Sequence, residues 1–269
     1  MSRRLEFMNS FYNQIEEDVR LSRSRQGQME YITTMNYIHR FAKEDCKILE
    51  VGAGTGRYSI ALAKEGYDVT AVELVERNLE VLKKNSEGLD NIKSLQGDAL
   101  DLSRFETDIF DVTLVFGPLY HLYNEADVHT AIDEAIRVTK KDGVILFAFL
   151  SAYAIMYDDY FQNNFVDGVK FNFTKDFKTK HFEEQLFTGY DIVEFEQLFE
   201  KKEVEYIAIV AVDSVLELAE GRADFGMTEA DFEAFAKYHL AICEKRELLG
   251  CSSHLLYICK KENRRAGKP

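Results

Sequence analysis

A chain of 269 residues with 46% hydrophobic and 13% aromatic side chains is globular, and long enough for one large α/β domain with elaborations or for two small domains. Its net charge of −14 argues against a protein that grips nucleic acid through phosphates, which needs a surplus of Lys and Arg on one face; a small or cationic substrate is easier to accommodate. No apolar h-region follows Arg3-Arg4, and no stretch approaches the roughly 20 apolar residues that span a bilayer, so a soluble, cytoplasmic chain without membrane partners is expected.

Residues 1–45 place apolar side chains at helical spacing, first Phe7, Phe11, Ile15 and Val19, then Met29, Ile32, Met35, Ile38 and Phe41. Two helices are expected ahead of any sheet. The basic run from Arg20 to Gln28 separates them, either as a solvated junction or as a flap over a ligand pocket. From residue 46 the pattern changes. Ile48, Leu49 and Val51 form an apolar run that enters Gly52-Ala53-Gly54-Thr55-Gly56, and Tyr58, Ile60, Ala61, Leu62 and Ala63 then read as a helix. A buried strand that turns through glycines into a helix is a nucleotide cradle, because the turn needs backbone angles and close approaches that a Cβ blocks and the helix start offers free N–H groups.

The glycine spacing narrows the nucleotide. In a G-x-G-x-x-G dinucleotide fingerprint the last glycine falls on Arg57 counting from Gly52, and on Ser59 counting from Gly54, so both registers fail. A phosphate-binding P-loop needs Gly-Lys-Ser/Thr, and Gly56 is followed by Arg57-Tyr58. A second strand, Tyr67 to Glu73, ends in a carboxylate 21 residues beyond Gly52, where a βαβ unit places an acidic partner for ribose hydroxyls. After a helix over 75–84 and a third strand over 92–95, Gly97-Asp98-Ala99 offers another strand-end carboxylate. A fourth strand, Phe110 to Phe116, runs into Gly117-Pro118-Leu119-Tyr120-His121-Leu122, with Pro118 as a rigid bend. A helix around 128–136, the turn Lys140 to Gly143 and a fifth strand over 144–150 follow.

The combination E-x-G-x-G-x-G after a strand, G-D-A after the third strand and G-P-L-Y-H-L after the fourth resembles the class I S-adenosylmethionine (SAM) dependent methyltransferases. The resemblance covers residues 46–150 closely and the remainder by strand order. It implies an α/β, doubly wound, mostly parallel seven-stranded sheet (a Rossmann-like methyltransferase fold) with helical and aromatic cap insertions. It also implies SAM as cofactor and methyl transfer to an N or O atom of a small-molecule acceptor. By position, Glu50, Gly52, Ala53, Gly54 and Gly56 then surround the methionine part, Glu73 with Leu74 the ribose, and Asp98 with Ala99 the adenine, while Phe116 and Gly117 border the sulfonium. His121, which titrates near neutrality, is the candidate to take a proton from the acceptor, with Tyr120 positioning cofactor or substrate; alternatively both shape a helix start. A protein or RNA methyltransferase, a nicotinamide oxidoreductase and a non-catalytic nucleotide-binding module remain as other readings.

Residues 151–190 crowd aromatic side chains with little periodicity, from Tyr153 to Tyr190. An insertion beyond a strand's C-terminal end sits over the ligand crevice, so this is a candidate substrate lid, with an aromatic structural layer or a homodimer contact as the alternatives. Residues 191–261 are expected to complete the sheet, with antiparallel strands over 204–212 and 252–259 and, between them, a helix capped by Thr228. Residues 262–269 form a basic, polar tail expected to be disordered. The four cysteines suit a reducing compartment. Cys243, Cys251, His254 and Cys259 lack a C-x-x-C pair, so buried thiols are expected in place of a metal site.

Overall fold

The computed structural model describes residues 3–14, 17–161 and 163–263. The chain runs α1 (Arg3–Tyr12), α2 (Arg20–Arg23), α3 (Arg25–Phe41), β1 (Lys47–Val51), α4 (Arg57–Lys64), β2 (Asp68–Glu73), α5 (Glu76–Asn85), β3 (Ile92–Gln96) and β4 (Phe110–Val115). It continues through a 3-10 turn (Pro118–His121) into α6 (Glu125–Val138), β5 (Thr139–Ser151), α7 (Ala152–Ile155), a π turn (Met156–Tyr160), α8 (Phe165–Asn172) and β6 (Gly189–Tyr190). The last elements are α9 (Ile192–Gln197), β7 (Val204–Ala211), α10 (Leu216–Glu220), α11 (Glu229–Ile242), α12 (Arg246–Leu249) and β8 (His254–Lys261).

Seven strands lie in the order β3-β2-β1-β4-β5-β8-β7, and the two-residue β6 adds an eighth by pairing with the end of β5. The strands from β3 to β5 pair in parallel, whereas β8 is antiparallel to both β5 and β7. This is the doubly wound, mostly parallel sheet expected from the sequence. Alternate residues feed two layers, as a strand's period of two requires. Leu49, Val51, Phe147 and Phe149 pack against α6 and α9, while Ile48, Leu114, Leu146 and Ile258 pack against α3 and α4.

The reversal of β8 decides which of its residues meets the ligand edge. A parallel strand reaches that edge of an α/β sheet with its last residues. β8 starts there instead, and its first residue, His254, stands opposite Leu150 near the end of β5.

Some local expectations shift. The first apolar stripe does not carry one helix to Val19: α1 stops at Tyr12, and Phe7 and Val19 are exposed, because Glu17 and Asp18 turn to pair with Arg20 and Asn85. Ile15 lies outside the described residues. Gln26, Gly27 and Gln28 belong to α3, whose start is capped by the Ser24 hydroxyl accepting from the Gly27 N–H at 2.9 Å. Thr228 does cap α11, accepting from the Asp231 N–H at 3.2 Å. Cys243 and Cys259 are buried as expected, but Cys251 is exposed. Most of the basic tail, residues 264–269, falls outside the described residues. No helix among the described residues is long and apolar enough to cross a membrane.

Candidate active site

The site begins with the turn after β1. Gly52 has φ +82°, and a Cβ there would stand 2.3 Å from the Phe116 carbonyl oxygen and 2.6 Å from Pro118 Cδ. The missing side chain therefore lets the β1 turn and the end of β4 close on each other and form the floor of a cavity. Gly56, with φ +90°, plays a different part. A Cβ there would lie 2.0 Å from Leu82 Cδ1, so its absence lets α4 pack against α5. Gly56 is not among the cavity-lining residues, although its neighbours Thr55 and Arg57 are.

The cavity at this edge is lined by Glu50, Gly52, Ala53, Gly54, Glu73, Leu74, Asp98, Ala99, Phe116, Gly117, Tyr120 and His121. The sheet thus gathers the strand-end residues singled out in the sequence. Glu73 is buried, and its two carboxylate oxygens accept from the Gly54 N–H at 2.7 Å and the Val75 N–H at 2.8 Å. Burial raises its pKa against the pull of those two bonds and of a third from the Asn78 side chain. With these three bonds on about four lone-pair sites, the carboxylate keeps room for one further hydroxyl donor. Glu50, also buried, accepts from the Ser59 hydroxyl, and burial pushes its pKa up to about 8. Asp98 accepts from the Leu100 N–H at 3.1 Å and from Arg4 Nη2 at 2.6 Å.

That arginine belongs to a cover. Arg4, Met8 and Tyr12 of α1 line the same cavity, as do Glu17, Asp18, Arg20 and Leu21, and Arg77 reaches across to donate to the Asn13 carbonyl. The enclosed volume is only about 110 Å³, below the few hundred Å³ of a typical small-molecule site.

His121 sits in the 3-10 turn after β4, 6% exposed. Its Nδ1 lies 2.8 Å from the Leu186 carbonyl oxygen and its Nε2 lies 2.9 Å from the Tyr12 hydroxyl. A carbonyl only accepts, so Nδ1 carries the proton and Nε2 accepts from Tyr12. Burial lowers the His121 pKa to about 4, the Leu186 bond opposing and Arg4 assisting. The ring is therefore a neutral acceptor with both nitrogens in use.

A second cavity of about 450 Å³ adjoins the first. The two share Tyr12, Glu17, Arg20, Tyr120 and His254. Rings from Phe11, Tyr160, Phe171 and Phe187 contribute to its walls, and the π turn supplies Asp158 and Asp159. The aromatic segment is thus divided. Tyr160, Phe171 and Phe187 line this cavity, whereas Phe173 and Tyr190 are buried and Phe161, Phe165 and Phe177 are exposed. Asp158 accepts from the Ser253 hydroxyl at 2.8 Å, and burial raises its pKa to about 6.

At the junction Arg20 makes a two-pronged contact with Glu30 (2.7 and 3.0 Å) and a third with Glu17 (3.0 Å). Glu30, Asp213 and His254 present donor atoms within 4.8 Å of one another, a spacing a cation could bridge, but Arg20 already supplies positive charge to Glu30. Tyr12, Arg20, Glu30, Asp213 and His254 were not singled out from the sequence as site residues. Arg20 belongs to the basic run noted in the sequence, and it lines both cavities.

Comparison with known proteins agrees with this geometry. Residues 49–147 match the family model described as a methyltransferase domain. The demethylmenaquinone methyltransferase of Clavibacter sepedonicus is 39% identical over 106 residues, covering 39% of this chain and 41% of that protein. The chain spans about half the length, or less, of the curated relatives it matches. Among solved structures, the PH0226 protein of Pyrococcus horikoshii superposes with a TM-score of 0.60 at 15% identity, over 94% of this chain and 99% of that one. A SAM-dependent methyltransferase of Methanosarcina mazei gives a TM-score of 0.54 at 17% identity, over 84% and 97% of the two chains. The chain therefore has the α/β Rossmann-like methyltransferase fold, and its stretch from 49 to 147 matches the methyltransferase-domain family.

Proposed function

We propose that the protein is a SAM-dependent methyltransferase acting on an N or O atom of a small molecule. The observation that carries this reading is the pairing of cavities: strand-end groups suited to an adenosyl ligand open into one, and a larger cavity with aromatic walls meets it at Tyr12, Arg20, Tyr120 and His254. The residues present fit the donor. Glu73 keeps acceptor capacity for a ribose hydroxyl, Asp98 and Ala99 offer an acceptor and a backbone edge for adenine, and the Gly52–Gly54 turn lines the same cavity on the side assigned to the methionine part.

When bound, SAM would supply an electrophilic methyl group. The chain's own residues would then align the acceptor, exclude water and control a proton. Phe116 and Gly117 line the donor cavity, and Tyr120 spans both cavities. His121 acts through Tyr12. Its low basicity suits a fixed hydrogen-bond acceptor, and that bond aims the Tyr12 hydroxyl oxygen at the junction. The demethylmenaquinone methyltransferase relative supports a small acceptor.

Calorimetric titration with SAM and with NADH tests the reading. SAM binding with no response to NADH is expected; absent SAM binding, or tighter NADH binding, sinks it. Screening metabolites for release of S-adenosylhomocysteine then identifies the acceptor.

A further inference from the structure

One buried polar cluster is not absorbed by the donor site. Asp213, two residues after the end of β7, is fully buried. It accepts from Ser252 Oγ at 2.5 Å, Gln26 Nε2 at 2.7 Å and His254 Nδ1 at 2.8 Å. These bonds fix the tilt of the His254 ring and assign the Nδ1 proton, as a buried carboxylate does behind an imidazole. His254 lines both cavities, and its Nε2 has no hydrogen-bond partner among the described residues.

We propose that His254, oriented by Asp213, donates from Nε2 to an oxygen of the methyl acceptor and favours its ionised form, which makes the acceptor a phenol-type or enol-type hydroxyl compound. The inference rests on the methyltransferase reading and adds the acceptor atom to it. The groups around the ring keep it a donor. Burial alone would lower its pKa, but Glu30 on α3 and Asp213 outweigh burial, and Arg20 on α2 opposes them, so the value rises to about 9. Asp158 of the π turn is bonded to the neighbouring Ser253.

The cavity's other end has the opposite character. Asp159, Glu184 and Glu217 are exposed and line only the second cavity. An acceptor entering it places its oxygen inward at His254 and a neutral or cationic end outward. The step balances simply. The acceptor hydroxyl loses its proton to water on binding. The oxygen lone pair then forms the new O–C bond as the C–S bond breaks, and that electron pair stays on sulfur, turning a sulfonium into a neutral thioether.

The test uses 4-nitrophenol, whose ionised form absorbs visible light, titrated into the whole protein saturated with S-adenosylhomocysteine. The bound probe is expected to ionise about one pH unit below the free probe, a tenfold shift. His254→Gln removes that shift and Asp213→Asn reduces it. In the unaltered protein, one histidine ring followed by nitrogen NMR titrates near pH 9 and moves when the probe is added, a readout that does not depend on a variant folding. An unshifted or unbound probe, a shift that survives His254→Gln, or histidine signals that ignore the probe each overturn the proposal. If S-adenosylhomocysteine itself fails to bind, the methyltransferase reading falls with it.

Discussion

His121 and His254 face the same crevice from strands on either side of β5, and their surroundings drive them to opposite states. His121 follows β4 in a 3-10 turn, buried against Tyr120 and Phe187, with a carbonyl and a phenol as its partners. Neither partner carries charge, so desolvation wins and the ring stays neutral. His254 opens β8 with the carboxylates of Asp213 and Glu30 at 2.8 and 3.8 Å. There the charges win over desolvation. Two rings of the same chemistry thus become a fixed acceptor and a fixed donor, and groups whose pKa values are pushed apart mark a division of labour in a site.

The sharpest way to break this comparison is His121→Ala. If His121 works by holding Tyr12, methyl transfer to whichever acceptor is identified should slow by about a hundredfold, the cost of a reactant group about 1 Å out of place, while SAM affinity measured by calorimetry stays within a few-fold. Unchanged turnover would remove its positioning role.

Stability against pH separates the two rings next. His121 has a folded pKa of about 4 against 6.5 unfolded, so the unfolded chain binds more protons between those values. Its contribution is present above pH 6.5 and is lost as pH falls through 4. His254 runs the other way. Its folded value of about 9 against 6.5 gives a contribution that is present below pH 6.5 and is lost as pH rises through 9. Each limb is worth up to about 3 kcal/mol. Glu50, raised to about 8, adds to the alkaline loss. Urea unfolding followed across pH should show His121→Phe flattening the acid limb, and His254→Gln flattening part of the alkaline limb and leaving the Glu50 part. Matching profiles for the two variants would show that the rings do not differ.

The smallest effect concerns the cover. Arg4 holds the carboxylate assigned to adenine, and the enclosed space is too small for a typical ligand. Arg4→Ala should tighten SAM binding by a few-fold, since an ion pair with one side chain 15% and the other 33% exposed is worth about 1 kcal/mol or less. Weaker binding in this variant would mean that Arg4 contacts the donor.

The same contrast explains what was legible in the sequence. The donor side is written locally. From Ile48 to Gly117 each strand-end residue follows its own apolar run, so glycine spacing and strand order place Glu73, Asp98 and Gly117 without knowledge of distant contacts. Gly56 shares the conformational need of Gly52, while the atom that its missing Cβ avoids, on Leu82, is visible only after α4 meets α5. On the other side, reading residues 252–259 as an antiparallel strand was correct. That His254 faces the crevice depends further on β8 lying beside β5, which no local pattern encodes. Tyr12 was hidden differently. Apolar spacing through Val19 suggested a longer helix, and the polar residues that end it at Tyr12 bond to α2 and α5.

The reversal of β8 has a consequence for how such a chain diversifies. Because β7 ends and β8 begins at the same edge, residues 214–253 form an excursion whose neck is tied by the Asp213, Ser252 and His254 bonds. Closing a loop costs little more as it lengthens, about 0.6 kcal/mol per doubling. Length can therefore be added where the excursion is exposed, while Leu216, Phe232, Cys243 and Leu249, which pack into the cores, are kept together with the knot at its neck. Of the residues that tie that knot, His254 also lines both cavities.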